Sequence, residues 1–305
     1  MVTPDLIDAD MVTPDILCIG AVLWDVIGRT AITMHPGDDV PGRIVRAPGG
    51  VALNIAATLA ARGLRPAVLT AIGQDGAGDD LIRAVAALGI DCAHVHRHPH
   101  LPTDVYMAIE AAGALVAAIA DAHTLEAAGE AILAPLADGR LGSAAAPWAG
   151  LVAVDGNLSE RLLAVIATSA LFARADLRLA PASPGKATRL RMLLGHPGAT
   201  LYVNRTEAGL IAGAVLPDSA AAALALRALG AARVLVTDGP GPVSMAGPEG
   251  VLTALPPAVA VVRVTGAGDA FMAGHLLAER RGLGAEAALQ AALDTAAAHI
   301  SKGTA

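Results

Sequence analysis

The stretch that decides how this chain is read is VRVTGAGDAFMAG, residues 262–274. A β-branched run gives way to three small residues, Gly266, Ala267 and Gly268, and then to Asp269 at the start of a helical pattern. Small side chains leave backbone N–H groups bare, and the first turn of a helix carries unpaired donors and the positive end of the dipole. That combination suits an anion, phosphate above all. Asp269 then stands where it can take a proton from an attacking hydroxyl. Donors for a transferred group beside a base for its nucleophile are what phosphoryl transfer needs. The same fragment also reads as a glycine turn with Asp269 capping the helix. On the fragment alone the two readings stand level.

Other stretches repeat the theme. In PGGVALN (48–54), Gly49 and Gly50 let a ligand approach the backbone, and Asn54 offers an amide. In NRTE (204–207), Asn204 and Glu207 lie three apart, on one face of a first helical turn. Glu207 there suits Mg²⁺ through water, since Mg²⁺ keeps several waters and takes few protein ligands; the alternative is a capping box. Polar residues also close successive strand patterns: Asp25, Asn157 in VDGN, Asn204 with Glu207, Thr237 in VTDG, and Asp269. Ligands of open parallel sheets bind beyond the carboxyl ends of the strands, so this set predicts one convergent site.

The fold follows from the periodicity. DILCIGAVLWDVIG (15–28) reads as a first central strand running to Asp25. VALNIAATLAARG (51–63) reads as a helix closed by Gly63, and ATRLRMLLGH (187–196) as another. From GLVAVDGN (150–157) onward, strand and helix patterns alternate to the end. This predicts an α/β, doubly wound, mainly parallel sheet with helices on both faces. Two β-rich insertions, about 29–48 and 94–120, are expected to pair as a small β lid. The second holds a hairpin in TDVYMAIEAAGALVAAIA. The tag MVTPD occurs at 1–5 and again at 11–15, so one domain over 11–305 is expected, with 1–10 as an N-terminal extension.

Composition narrows the partners. A net charge of −7 gives no general attraction to nucleic acid or to anionic membranes. No apolar run reaches the roughly 18 residues of a membrane span, and the acidic N-terminus lacks the basic start of a signal peptide. Cys18 and Cys92 make no disulfide framework, which fits a cytoplasmic setting. In CAHVHRHPH (92–100), Cys92, His94, His96, His98 and His100 alternate. Zinc is disfavoured there, because the loop separation of a structural site is missing and Pro99 breaks the strand. Exposed histidines at the base of the lid are expected instead.

Taken together, PGGVALNIAATLAARG, NRTE and VTGAGDAFMAGHLL resemble the N-terminal, magnesium and C-terminal motifs of the ribokinase, or PfkB, family of sugar and nucleoside kinases. The resemblance runs over nearly the whole chain after residue 14. It implies that Asp269 is the catalytic base and that Gly266, Ala267 and Gly268 form the anion hole. It places Asp25, Gly49, Gly50 and Asn54 on the acceptor's hydroxyls, with Thr103 and Asn157 near its base. Asn204, Thr237, Gly239 and Asp294 are expected on the nucleotide side, and Glu207 on Mg²⁺. ATP and Mg²⁺ are the implied cofactors. Arg263 stands where many relatives carry an Asp that helps hold a monovalent cation, so potassium activation is not expected. The strings DGNLSE (155–160) and PASPGKATRLR (181–191) resemble members acting on pseudouridine. The expected acceptor is therefore a nucleoside phosphorylated at its 5′-hydroxyl, pseudouridine in the first place. A kinase of a free sugar or sugar acid shares the hydroxyl contacts and is the first rival. A non-catalytic binding relative is the second, though a binder needs no base beside an anion hole. Relatives commonly dimerise through the lid, which predicts a homodimer.

Overall fold

The computed structural model describes residues 13–262 and 264–301. The expected extension at 1–10 and Arg263 lie outside the described residues. The strands are β1 Ile16–Ile19, β2 Leu23–Thr30, β3 Arg43–Gly49, β4 Pro66–Leu69, β5 Ala71–Gly73, β6 His96–His98, β7 Val105–Ala111, β8 Ala114–Asp121, β9 Leu151–Asp155, β10 Asp176–Ala180, β11 Ala199–Asn204, β12 Arg233–Thr237, β13 Val243–Gly247 and β14 Gly250–Ala254. The helices are α1 Val51–Ala60, α2 Gly76–Ala86, α3 His123–Ala128, α4 Ala134–Ala137, α5 Glu160–Thr168, α6 Arg205–Ala212, α7 Ser219–Ala228, α8 Ala267–Arg280 and α9 Ala285–Ile300.

Eight strands form the main sheet in the order β14-β13-β12-β11-β10-β9-β1-β4. From β12 to β4 all neighbours are parallel; β13 and β14 add an antiparallel edge. The chain leaves β1 toward β4 on one side and resumes with β9 on the other. The carboxyl ends of β1 and β9 therefore flank a topological switch point, where such sheets bind ligands. β1 shows why its run is unbroken: Leu17 and Ile19 enter one core, Ile16 and Cys18 the other. Both faces are covered, as a parallel sheet requires. Alanines set the thickness of the helical layers. A Cβ on Gly274 of α8 would collide with Thr295 and press on the Ala291 carbonyl of α9, so these two helices approach closely.

The lid is a second sheet of order β3-β2-β7-β8, and it corrects the expected boundaries. The 15–28 stretch is two strands. β1 ends at Ile19, Gly20 takes φ 151, and the chain turns into the lid as β2. A side chain at Gly20 would overlap the Asp155 carboxylate, so the break is forced by what lies beside it. Asp25 consequently lies within a lid strand and not at the end of a central one. At the other insertion, β6 pairs with β5 in a separate two-stranded sheet, so the histidine stretch stays outside the lid. His94 is buried there instead of exposed. The hairpin β7–β8 is as expected, turning at Ala112 and Gly113, both with positive φ. Residues 184–193 form a 3₁₀ helix instead of the α-helix expected from the apolar spacing.

Candidate active site

The site forms where the first turns of α1 and α8 meet beneath the lid. Gly50 precedes α1 with φ 104, and a Cβ there would collide with the Ala21 carbonyl. Gly49 is equally constrained, since a Cβ would overlap the Asp25 carboxylate. The Gly-Gly pair thus brings the lid acid Asp25, the β1–β2 turn and the start of α1 together. One turn into α1, Asn54 Nδ2 donates to Asp269 Oδ2 at 2.9 Å. The two residues are 215 positions apart in sequence.

The cap reading of Asp269 is resolved by geometry. Gly266 is the N-cap of α8, in the left-handed region at φ 79, and no side chain caps the helix. Asp269 is the third helical residue, and its carboxylate turns to Asn54 instead of to its own backbone. Behind Gly266, His299 Nε2 lies 2.9 Å from the Thr265 carbonyl, and a Cβ on Gly266 would press on the His299 ring. Gly268 is exposed at the opening of the helix. Burial pushes the Asp269 carboxyl up to about 7; the Asn54 hydrogen bond opposes this, and the charges of Asp155 and Glu207 add to it. A carboxylate near 7 suits a general base. Burial likewise pushes Asp25 up to about 6.

The residues expected on the nucleotide side sit along the next strand ends. Asn204 and Thr237 are cross-strand partners at the ends of β11 and β12. Asn204 and Glu207 form a reciprocal capping box, each side chain accepting from the other's backbone N–H at 2.8 Å. That arrangement occupies Glu207 Oε2. Among the described residues nothing hydrogen-bonds the second carboxylate oxygen, and burial holds the Glu207 carboxyl above its ordinary range. A hard oxygen donor so placed fits Mg²⁺ or a water of its shell. Among the described residues, no three His, Cys, Asp or Glu side chains converge into a metal cluster. Gly239, φ 56, opens the loop after β12.

Three predicted residues stand apart. Thr103 is buried, and its hydroxyl donates to Asp75 Oδ1 at 2.5 Å, which fixes the base of the lid to the cap of α2. Asp294 is exposed on α9 and accepts from Gln290 at 3.0 Å. Asn157 follows β9 as expected, but its Oδ1 already accepts from Lys186 at 2.8 Å.

Sequence reasoning passed over three side chains. Lys186 lies in a quoted string yet was not singled out. Asp155, two residues before Asn157, is buried at the switch point. Tyr106 is cross-strand to Asp25, on the same lid face. Of the six aromatic side chains, the other five are buried and Tyr106 alone is half-exposed. With only six aromatics in the chain, a tyrosine within the alternating TDVYMAIE stretch is the sequence signal that marks it.

A mainly parallel sheet with helices on both faces and a β lid is the architecture of ribokinase-like kinases. Residues 13–305 match the pfkB family of carbohydrate kinases, and the chain belongs to that family, whose members are phosphotransferases acting on hydroxyl groups. It is 30% identical over 266 residues to the pseudouridine kinase of Escherichia coli K12, covering 85% of this chain and 82% of that one. Among solved structures, a carbohydrate kinase from Agrobacterium tumefaciens superposes with TM-score 0.75 at 27% identity, covering 92% of this chain and 89% of that one. Arabidopsis thaliana ribokinase, solved with ribose and ATP, gives TM-score 0.75 at 19% identity over 96% of this chain and 94% of its own.

Proposed function

We propose that this protein transfers the γ-phosphoryl group of ATP to the 5′-hydroxyl of a nucleoside, pseudouridine in the first place. The observation that carries the chemistry is the Asn54–Asp269 pair, which joins the acceptor side of the cleft to the start of α8. Asp269 takes the hydroxyl proton as the oxygen attacks the γ-phosphorus. The new O–P bond forms as the bond to ADP breaks, and the N–H groups of Gly266 and Gly268 receive the transferring oxygens; the expected third donor, Ala267, instead gives its N–H to the Val264 carbonyl at 3.1 Å. Glu207 and Asn204 are suited to Mg²⁺ and its water shell, Thr237 and Gly239 to the nucleotide. Mg²⁺ bound with the nucleotide supplies charge neutralisation at the phosphates.

The acceptor assignment rests on the likeness to the Escherichia coli pseudouridine kinase, which extends over most of both chains. Side-chain chemistry agrees with it. Asp25 can accept from ribose hydroxyls, and the Tyr106 ring offers a flat surface beside it. A coupled ATP-consumption assay over pseudouridine, uridine, adenosine, ribose and ketodeoxy sugar acids tests it. Pseudouridine should give the highest kcat/KM; a wide margin for ribose or a sugar acid would assign the free-sugar activity instead. Absence of ATP turnover with every acceptor in the panel would leave only the binding relative.

A homodimer through the lid belongs to the same reading. Ile44, Met107, Ile109 and Ile119 are exposed on the lid face opposite Asp25, a row of apolar side chains that a second copy of this chain would cover. Sedimentation should give a dimer that Ile119→Lys weakens. Two unpaired thiols, Cys18 and Cys92, fit the expected cytoplasmic setting.

A further inference from the structure

Asp155 ends β9 at the switch point and is 1% exposed; it lies outside the N-terminal, magnesium and C-terminal motifs but contacts the first of them at Ala52. Three backbone N–H groups from three separate segments converge on its two oxygens. Oδ2 accepts from Ala21 at 2.8 Å and from Ala52 at 3.1 Å; Oδ1 accepts from Asn157 at 2.8 Å. Ala21 belongs to the turn from the core into the lid, Ala52 to the first turn of α1, and Asn157 to the loop after β9. The carboxylate also fills the space a side chain at Gly20 would need.

We propose that Asp155 is a positioning residue of the acceptor pocket, holding the lid strand of Asp25, the Gly50–Asn54 turn and the Asn157 loop in one fixed arrangement. The proposal rests on the reading that these three segments bind the acceptor. The physical reason is the donor count. A carboxylate offers acceptors on both oxygens, so three converging N–H groups are all satisfied. An amide of the same shape offers one acceptor oxygen and one NH₂ group, and at least one N–H then faces another donor. With the amide oxygen kept toward Ala21 and Ala52, the Asn157 loop is the segment released. Nothing on the nucleotide side is bonded to Asp155, so the loss should fall on one substrate only.

The test uses Asp155→Asn and Asp155→Ser, with whichever acceptor the wild type turns over. A buried donor left unpaired weakens what it orders by roughly tenfold or more. KM for the acceptor should therefore rise about tenfold or more, while KM for ATP stays at the wild-type value. A merely structural residue would lower the melting temperature and leave both constants of the folded fraction unchanged. That result, or an equal rise in both constants, overturns the proposal. Amide hydrogen exchange of the wild type serves where neither variant folds and also where no acceptor is turned over. Slow exchange at Ala21, Ala52 and Asn157 together supports the hub; rapid exchange at any of the three overturns it. Failure of the functional reading shows separately, as absence of phosphoryl transfer by the wild type.

Discussion

Replacing Asp269 with Asn tests the chemistry most directly, because the structure separates its two candidate roles. The side chain is not the helix cap; Gly266 is. Asn keeps the volume and can still bond to Asn54, so the fold should hold. What is lost is proton acceptance at a carboxyl whose folded value is about 7. A positioned general base contributes about 10²- to 10⁴-fold, which is about 2.7–5.4 kcal/mol of barrier at 1.36 kcal/mol per tenfold. kcat should fall by that factor, with KM for acceptor and ATP little changed. The wild-type rate should also lose its activity as pH falls through about 7, and the variant should lack this limb. Stability gives an independent check. The folded carboxyl is raised above its unfolded value of 3.8, so its contribution is fully present below that value and is lost as pH rises through about 7. Asn has no such term. The melting temperature of Asp269→Asn relative to wild type should therefore climb between pH 4 and pH 8. A folded variant that keeps more than about a tenth of wild-type kcat would refute the assignment, since that lies outside the general-base range.

Asn54→Ala removes the hydrogen bond that holds the Asp269 carboxyl down, so the acid limb of the pH–rate profile should move to higher pH; an unmoved limb would separate the two residues. Glu207→Gln can keep the capping box, because Gln serves at that position as well as Glu. The Mg²⁺ concentration for half-maximal rate should rise about tenfold or more, and superimposable Mg²⁺ titrations would remove Glu207 from the metal site. Rates in potassium and in a bulky organic cation at equal ionic strength should be similar, since the motif resemblance sets Arg263, a positive charge, where many relatives carry an Asp. A many-fold potassium dependence would contradict this. Cys18 is buried and its thiol is pushed far up, and Cys92 is pushed up to about 11, so both should resist alkylation until the chain is unfolded.

What the sequence alone determined is what short-range physics determines. The alternation of apolar strands and alanine-rich helices implied a parallel sheet covered on both faces, because each run had to be buried. The NRTE spacing implied contact within one turn, and Asn204 and Glu207 do meet there. The small residues before Asp269 implied a helix opening with bare backbone, and α8 opens there. Tertiary structure decided the rest. Whether Asp269 caps its helix or faces a partner was undecidable locally, because that partner, Asn54, lies 215 residues away. The break at Gly20, which sends Asp25 into the lid, depends on a carboxylate 135 positions later, and no local pattern in ILCIGAVLWD records it. Thr103, expected near the acceptor, is bonded to Asp75, and Asp155, which none of the three family motifs contains, accepts from three segments. Hydrogen-bond partners across a fold are fixed by where the packed elements place their ends, and that placement is a property of the whole sheet.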